Sequence, residues 1–221
     1  MRILVTNDDG ILAAGLWALV GELKRVAEVV VVAPDREQSA RGTAVTLGQP
    51  LRVQRVEPAV PGVASYSIAG TPADSVIMAL GRVVGDNIDL VVSGINHGSN
   101  LGEDVFISGT VAAALQGYLH GFPAVAISVD AYVGPYLDVA ARLAALLARE
   151  IGAGVIPVEA LLNINLPNRP LAEIKGARVT RLAHKSHINA VEAGGGDRGE
   201  YYRLVRQRLN NTDDRIPMSG R

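Results

Sequence analysis

Short apolar runs alternate along this chain with segments of helical spacing, and that alternation leaves few architectures open. The run Ile3-Leu4-Val5 is followed by Leu16, Trp17, Leu19, Val20, Leu23 and Val26 at helical intervals. Val29-Val30-Val31-Val32 then has the length and β-branching of a buried strand. Further strands are expected at 89–93, 124–128 and 161–165, with helices at about 71–84, 109–119 and 136–150. Thr71-Pro72-Ala73-Asp74 reads as a helix start, with Thr71 as N-cap and Pro72 in the first helical position. Strands alternating with helices imply an α/β protein with a mainly parallel, doubly wound sheet. A weaker alternation runs from Val45 to Val56. From Arg178 the texture changes to extended stretches at 178–183 and 201–209, separated by a flexible Gly194-Gly195-Gly196. The expected organisation is one α/β domain over 1–221, with a core over about 1–170 and a C-terminal strand or hairpin appendage over about 171–221 used in assembly.

Composition narrows the chemistry. An apolar content of 48% with only 4% aromatics points to a core of Ala, Val, Leu and Ile, as buried parallel strands require. A formal net charge of −1 provides no field to recruit nucleic-acid polymers or an anionic membrane. No stretch approaches the roughly 20 apolar residues of a transmembrane helix, so the expectation is a soluble cytoplasmic protein. The absence of Cys removes thiolate metal sites and thiol nucleophiles. The chemistry has to rest on oxygen and nitrogen groups.

Asn7-Asp8-Asp9-Gly10 follows the first strand directly. It is open to two readings, a polar turn or a metal site. Converging carboxylates both stay ionised only if a cation lies between them or one raises its pKa. Asp35 to Ser39 follows the second strand, and Gly94-Ile95-Asn96-His97-Gly98-Ser99-Asn100 follows the strand ending at Ser93. Loops leaving the carboxyl edge of a parallel sheet can meet in one crevice. Asp8, Asp9, Ser39 and Asn96 together form a hard donor set for Mg²⁺ or Mn²⁺. Taken singly, Ser39 reads as a solvated loop hydroxyl and Asn96 as a residue tolerant of left-handed backbone.

Ser108-Gly109-Thr110 opens a helix whose first N–H groups lack internal partners, a cradle for phosphate that also reads as ordinary N-capping. With Asn96 these residues are the candidate phosphate contacts. A divalent ion beside a phosphate cradle indicates phosphoryl chemistry, with the ion neutralising charge and acidifying water. Asp8 and Asp9 are the candidate catalytic groups, as ligands or as a base. His97 could serve as acid, base or phosphate donor or be a surface residue, and Arg36 and Arg41 could meet phosphate or simply be solvated. His184 and His187 read as structural or surface groups. No G-x-G-x-x-G, Walker loop or G-x-S-x-G occurs. The adjacent acids differ from the Asp-x-Asp spacing of haloacid-dehalogenase-type phosphatases, which puts direct carboxylate attack behind hydrolysis by water.

At these positions the chain closely resembles the survival protein E (SurE) family of metal-dependent 5′/3′-nucleotidases. The matching elements are Ile3 to Gly10, Ala33-Pro34 through Gln38-Ser39, Gly70-Thr71-Pro72-Ala73-Asp74, Ser93 to Gly102, and Ser108-Gly109-Thr110-Val111. The resemblance implies a Rossmann-like fold and one divalent cation held by Asp8, Asp9, Ser39 and Asn96. It implies hydrolysis of nucleoside monophosphates to nucleoside and phosphate, with a range that takes in 3′-nucleotides and short polyphosphate. It also implies homodimers or homotetramers formed through C-terminal elements. Two features depart from the family: Ile107 stands where an aromatic is usual, and the family's closing strand does not follow Thr212-Asp213-Asp214. A shortened or divergent member is expected, with oligomeric state the property most exposed. A nonenzymatic nucleotide- or metal-binding module on the same fold, or a folded but inactive subunit, are the other readings.

Overall fold

The structure is a computed structural model that describes residues 1–85, 87–131, 133–184, 188–196 and 199–206. His187, the end of the expected 201–209 stretch and Thr212-Asp213-Asp214 lie outside the described residues. The chain opens with β1 (Arg2–Thr6), α1 (Ala14–Leu23) and β2 (Glu28–Pro34), followed by β3 (Val53–Arg55), β4 (Ala64–Ile68) and α2 (Pro72–Met78). Then come β5 (Leu90–His97), α3 (Gly109–Leu119), β6 (Ala124–Asp130), α4 (Leu137–Gly152) and β7 (Leu161–Pro167). A hairpin of β8 (Ile188–Gly196) and β9 (Gly199–Arg206) follows. No helix among the described residues is long and apolar enough to cross a membrane.

The strands form a seven-stranded sheet in the order β3-β4-β2-β1-β5-β6-β7, parallel except for β3 against β4. Side chains alternate across each strand, so β1 feeds two cores. Ile3 and Val5 pack with α1 and α4, for example on Leu16, Leu19, Ala140 and Ala144. Leu4 packs on the other face with Val76, Val111 and Ala114 of α2 and α3. Each fully buried Val, Leu or Ile contributes roughly 1.5–3 kcal/mol of apolar transfer, which is why the valine run of β2 is a strand buried on both faces. From β1 the chain winds outward through β2 and β4, then returns to the other side of β1 with β5. The β1/β5 border is therefore the switch point of a Rossmann-like sheet, and a crevice opens beyond its strand ends.

The α2 start is as expected: Thr71 Oγ1 accepts from the Asp74 N–H at 3.0 Å, and Asp74 Oδ2 accepts from the Thr71 N–H at 2.8 Å. The helix loosens at Ala79–Val83 into a wider turn. Four expectations are corrected. The 45–56 alternation yields only the short β3, and β4 was not expected because Ser65 and Ser67 occupy buried positions and break the apolar pattern. Asn96 and His97 belong to β5, not to a loop, since β5 runs on past a bulge at Gly94 and keeps pairing with β6. No strand forms over 178–183. The glycine triplet ends β8 and does not separate two strands: Gly194 faces Tyr201, and a Cβ there would lie 2.4 Å from the Tyr201 ring.

Candidate active site

The turn after β1 is fixed by its own first residue. Asn7 is fully buried; its Nδ2 donates to the Gly10 carbonyl at 3.0 Å and its Oδ1 accepts from the Gly10 N–H at 3.2 Å. Gly10 has φ +96°, and an added Cβ would sit 2.9 Å from the Arg36 carbonyl carbon, so glycine is required on both counts. The Gln38 N–H donates to the Asp8 carbonyl at 2.7 Å, and the Ile11 N–H to the Pro34 carbonyl at 2.8 Å. These bonds stitch the loop after β1 to the loop after β2 and carry Ser39 to the same strand edge as the acids.

Asp8 is buried against the start of α3. The Thr110 hydroxyl donates to Asp8 Oδ1 at 2.5 Å and the Thr110 backbone N–H bonds the same carboxylate. Gly109 lets the helix come this close, because a Cβ there would be 2.7 Å from the Asp8 Cβ. Ser108 caps the helix by accepting from the Val111 N–H at 3.2 Å. Burial raises the Asp8 pKa most strongly, Thr110 works against it, and the charge of Glu37 adds to the rise. Asp9 is pushed up to about 7 by burial, then by the charges of Asp8 and Glu37, opposed by a bond from the His97 backbone N–H. Its Oδ2 is buried without a hydrogen-bond partner.

Asp8, Asp9, Ser39, Asn96 and Ser108 all line one cleft of ≈ 580 Å³ at the β1/β5 switch point. Gly109 and Thr110 are buried beside Asp8 and do not line it. The Thr110 hydroxyl, expected to face phosphate, is engaged by Asp8 because a buried carboxylate needs a donor more than an open cleft does. Ser108 keeps its own hydroxyl proton while accepting from Val111. The Asn96 Nδ2 donates to the Gly98 carbonyl at 2.7 Å, which leaves Oδ1 as that side chain's other polar atom. Ser39 donates to Glu37 Oε1 at 2.8 Å and retains its lone pairs. No group of three or more His, Cys, Asp or Glu suited to a metal occurs among the described residues. A cation in this cleft would combine two acids with neutral oxygens. Two adjacent carboxylates, one buried and one half-buried with an orphaned oxygen, fit a hard divalent ion.

Some residues of the cleft gave no clear signal in the sequence. Glu37 adds a third acid, and its only cue was its place two residues before Ser39. Asn100 lines the cleft at 4% exposure and is held by Ser128, Asn163 and Asn165. Leu204 and Val205 of β9 also reach the lining. His97 lines the cleft with its Nε2 buried and unpartnered. Arg36 is exposed, 3.8 Å from Asp35, Arg41 is exposed, and His184 lies 3.8 Å from Glu103 at the surface.

The family model for survival protein SurE matches residues 3–189. A 5′-nucleotidase SurE of Dehalococcoides mccartyi is 57% identical over 216 residues, covering 97% of this chain and 82% of that protein. The 5′-nucleotidase SurE of Syntrophomonas wolfei is 45% identical over 204 residues, covering 91% and 76%. The crystal structure of the SurE protein from Aquifex aeolicus superposes with a TM-score of 0.79 at 34% identity, covering 94% of this chain and 83% of that one. The chain belongs to the survival protein SurE family.

Proposed function

We propose that this protein is a divalent-cation-dependent 5′-nucleotidase that hydrolyses nucleoside 5′-monophosphates to nucleoside and phosphate. The observation that carries the reading is the pair of acids at the switch-point cleft, with Asp9 Oδ2 buried and unpartnered beside the neutral donors Ser39 and Asn96. The relatives named 5′-nucleotidase, at up to 57% identity, support the reaction class. Asp8, Asp9, Ser39 and Asn96 would hold one Mg²⁺ or Mn²⁺. Such an ion supplies charge neutralisation and Lewis acidity at the phosphate.

The chain's own groups divide the remaining work. Asp8 is fixed by Thr110 and acts as an anchor, whereas Asp9 is partly open to the cleft, so its carboxylate is the group to orient a water or take its proton. Ser108, at the rim of α3, and Asn96 would meet the phosphate, with the helix dipole favouring the anion. Turnover of 3′-monophosphates and short polyphosphate belongs to the same reading, as do a cytoplasmic location and homodimers or homotetramers. Exposed Val191, Tyr201, Tyr202 and Leu204 on the hairpin support assembly. The net charge of −1 favours small nucleotides over nucleic-acid polymers as partners.

The test is phosphate release from nucleoside 5′-monophosphates with Mg²⁺, with Mn²⁺ and with chelator. Release that depends on the added ion is expected. Nucleotide binding without ion-dependent release would replace the enzyme by a binding module.

A further inference from the structure

The cleft wall at Asn100 is built by residues that do not line it. β7 is separated from β5 by β6, yet two of its side chains reach the loop that leaves β5. Asn165 Oδ1 accepts from the Asn100 N–H at 2.7 Å, and Asn165 Nδ2 donates to the Asn100 carbonyl at 3.1 Å. Asn163 Nδ2 donates to the same carbonyl at 2.9 Å. Asn163 and Asn165 are two apart on a strand and so share one face. From β6, the fully buried Ser128 accepts from Asn100 Nδ2 at 2.9 Å. The same loop is tied down by the Gly98 N–H on the Val129 carbonyl at 2.8 Å and by Ser99 Oγ on Asp130 Oδ1 at 3.2 Å.

We propose that Asn163 and Asn165 are positioning residues for the hydrolytic site, acting through Asn100. A side-chain amide is the one group that offers a donor and an acceptor at the spacing of a peptide, so Asn165 pairs with Asn100 as a further strand would. An aliphatic residue there would leave a part-buried N–H and C=O without partners. Asn100 would then be free to shift along the cleft, where displacement by about 1 Å of a group facing the substrate costs on the order of a hundredfold in rate. Of the residues that would hold the ion, Asp8, Asp9 and Ser39 touch none of these bonds, and Asn96 meets the loop through its Nδ2 on the Gly98 carbonyl.

The inference rests on the nucleotidase reading, and its test separates the two. With a nucleoside 5′-monophosphate and Mn²⁺, Asn165→Leu is expected to lower kcat/KM by roughly ten- to a hundredfold. Mn²⁺ affinity, titrated on nucleotide-free protein, falls much less than kcat/KM, because Asp8, Asp9 and Ser39 keep their bonds. Asn163→Ala, which removes one of two donors to the carbonyl, falls between wild type and Asn165→Leu. In an Asn100→Ala background Asn165→Leu adds little further loss, because the two act in series. Full additivity in that background, or wild-type kcat/KM in folded Asn165→Leu and Asn163→Ala, overturns the proposal; if Asn165→Leu does not fold, Asn163→Ala decides. A wild type without turnover overturns the nucleotidase reading instead. Exchange of the Asn100 amide proton, faster in Asn163→Ala than in wild type, then still decides the positioning claim.

Discussion

The two walls of the cleft are made on opposite principles. The wall from β1, β2 and α3 carries charge: Asp8, Asp9 and Glu37 crowd together, and the first two have raised pKa values. Its side-chain bonds are mostly short in sequence, Asn7 to Gly10 and Ser39 to Glu37, with Thr110 the one long reach. The wall from β5, β6 and β7 is built mainly of amides and hydroxyls, with Asp130 holding Ser99 at its edge, and its amide bonds span 63 and 65 residues. One wall crowds carboxylates and would be completed by a cation; the other pairs its amides, with His97 Nε2 left unpartnered. On the proposed reading, charge would supply the chemistry and the amides the geometry.

The largest effect that would break this division is at Asp9. Asp9→Asn keeps the shape and removes one negative charge. Ion affinity and kcat/KM should fall together, by at least about a hundredfold, the upper end of what changes behind a ligand already cost. Parallel Mn²⁺ titration and phosphate-release assays read both. If neither moves, Asp9 leaves the site and the charged wall reduces to a polar turn.

The same division explains what the sequence made legible. The charged wall is a contiguous motif after an apolar strand, so Asp8, Asp9 and the strand-end residues Ser39 and Asn96 could be named from spacing and sheet logic. The cores of β1, β2, β6 and α3 were legible because their residues are apolar at the proper period. The amide wall was hidden, because in Leu162-Asn163-Ile164-Asn165-Leu166 the asparagines read as the solvent face of an ordinary alternating strand, and their partner is more than 60 residues away. β4 was hidden for a related reason, since buried serines such as Ser65, bonded to the Val63 carbonyl at 3.2 Å, do not announce burial. For Thr110 the helix-start position was visible, while its bond to Asp8 was not, because the approach of Asp8 depends on Gly109 packing across the layers.

A middle-sized effect sharpens the role of that threonine. Thr110→Val preserves volume and strips the donor from Asp8 Oδ1, leaving a buried carboxylate oxygen short of a partner. The expected loss is about 1–3 kcal/mol of stability, or roughly 2–4 °C in Tm per kcal/mol for a chain of this size. KM for nucleotide should change little. A rise in KM at unchanged Tm would move the hydroxyl from the support of Asp8 to the phosphate itself.

The smallest effect separates the walls by pH. The Asp9 carboxyl titrates at about 7 in the folded protein against 3.8 ordinarily, so between those values the folded state holds a proton that the unfolded chain has released. Stability of the cation-free protein therefore falls as pH rises through that window and levels off above it. Asp8, also raised, acts in the same direction. The asparagines and Ser128 of the opposite wall do not titrate there and contribute nothing to the slope. For one such group the change is at most about 1.4 kcal/mol per pH unit, and solvent reaching Asp9 reduces it further, so the step per pH unit is no larger than the loss expected for Thr110→Val. A divalent ion should reverse the trend, because protons compete with it at low pH and it stabilises the fold more as they leave. Melting curves across the window, in chelator and in Mn²⁺, should diverge with rising pH, and Asp9→Asn should flatten the chelator curve. A cation-free protein whose Tm instead rises through the window would mean that the two acids are already balanced by the fold, and the contrast between a carboxylate-crowded wall and an amide-bonded one would be lost.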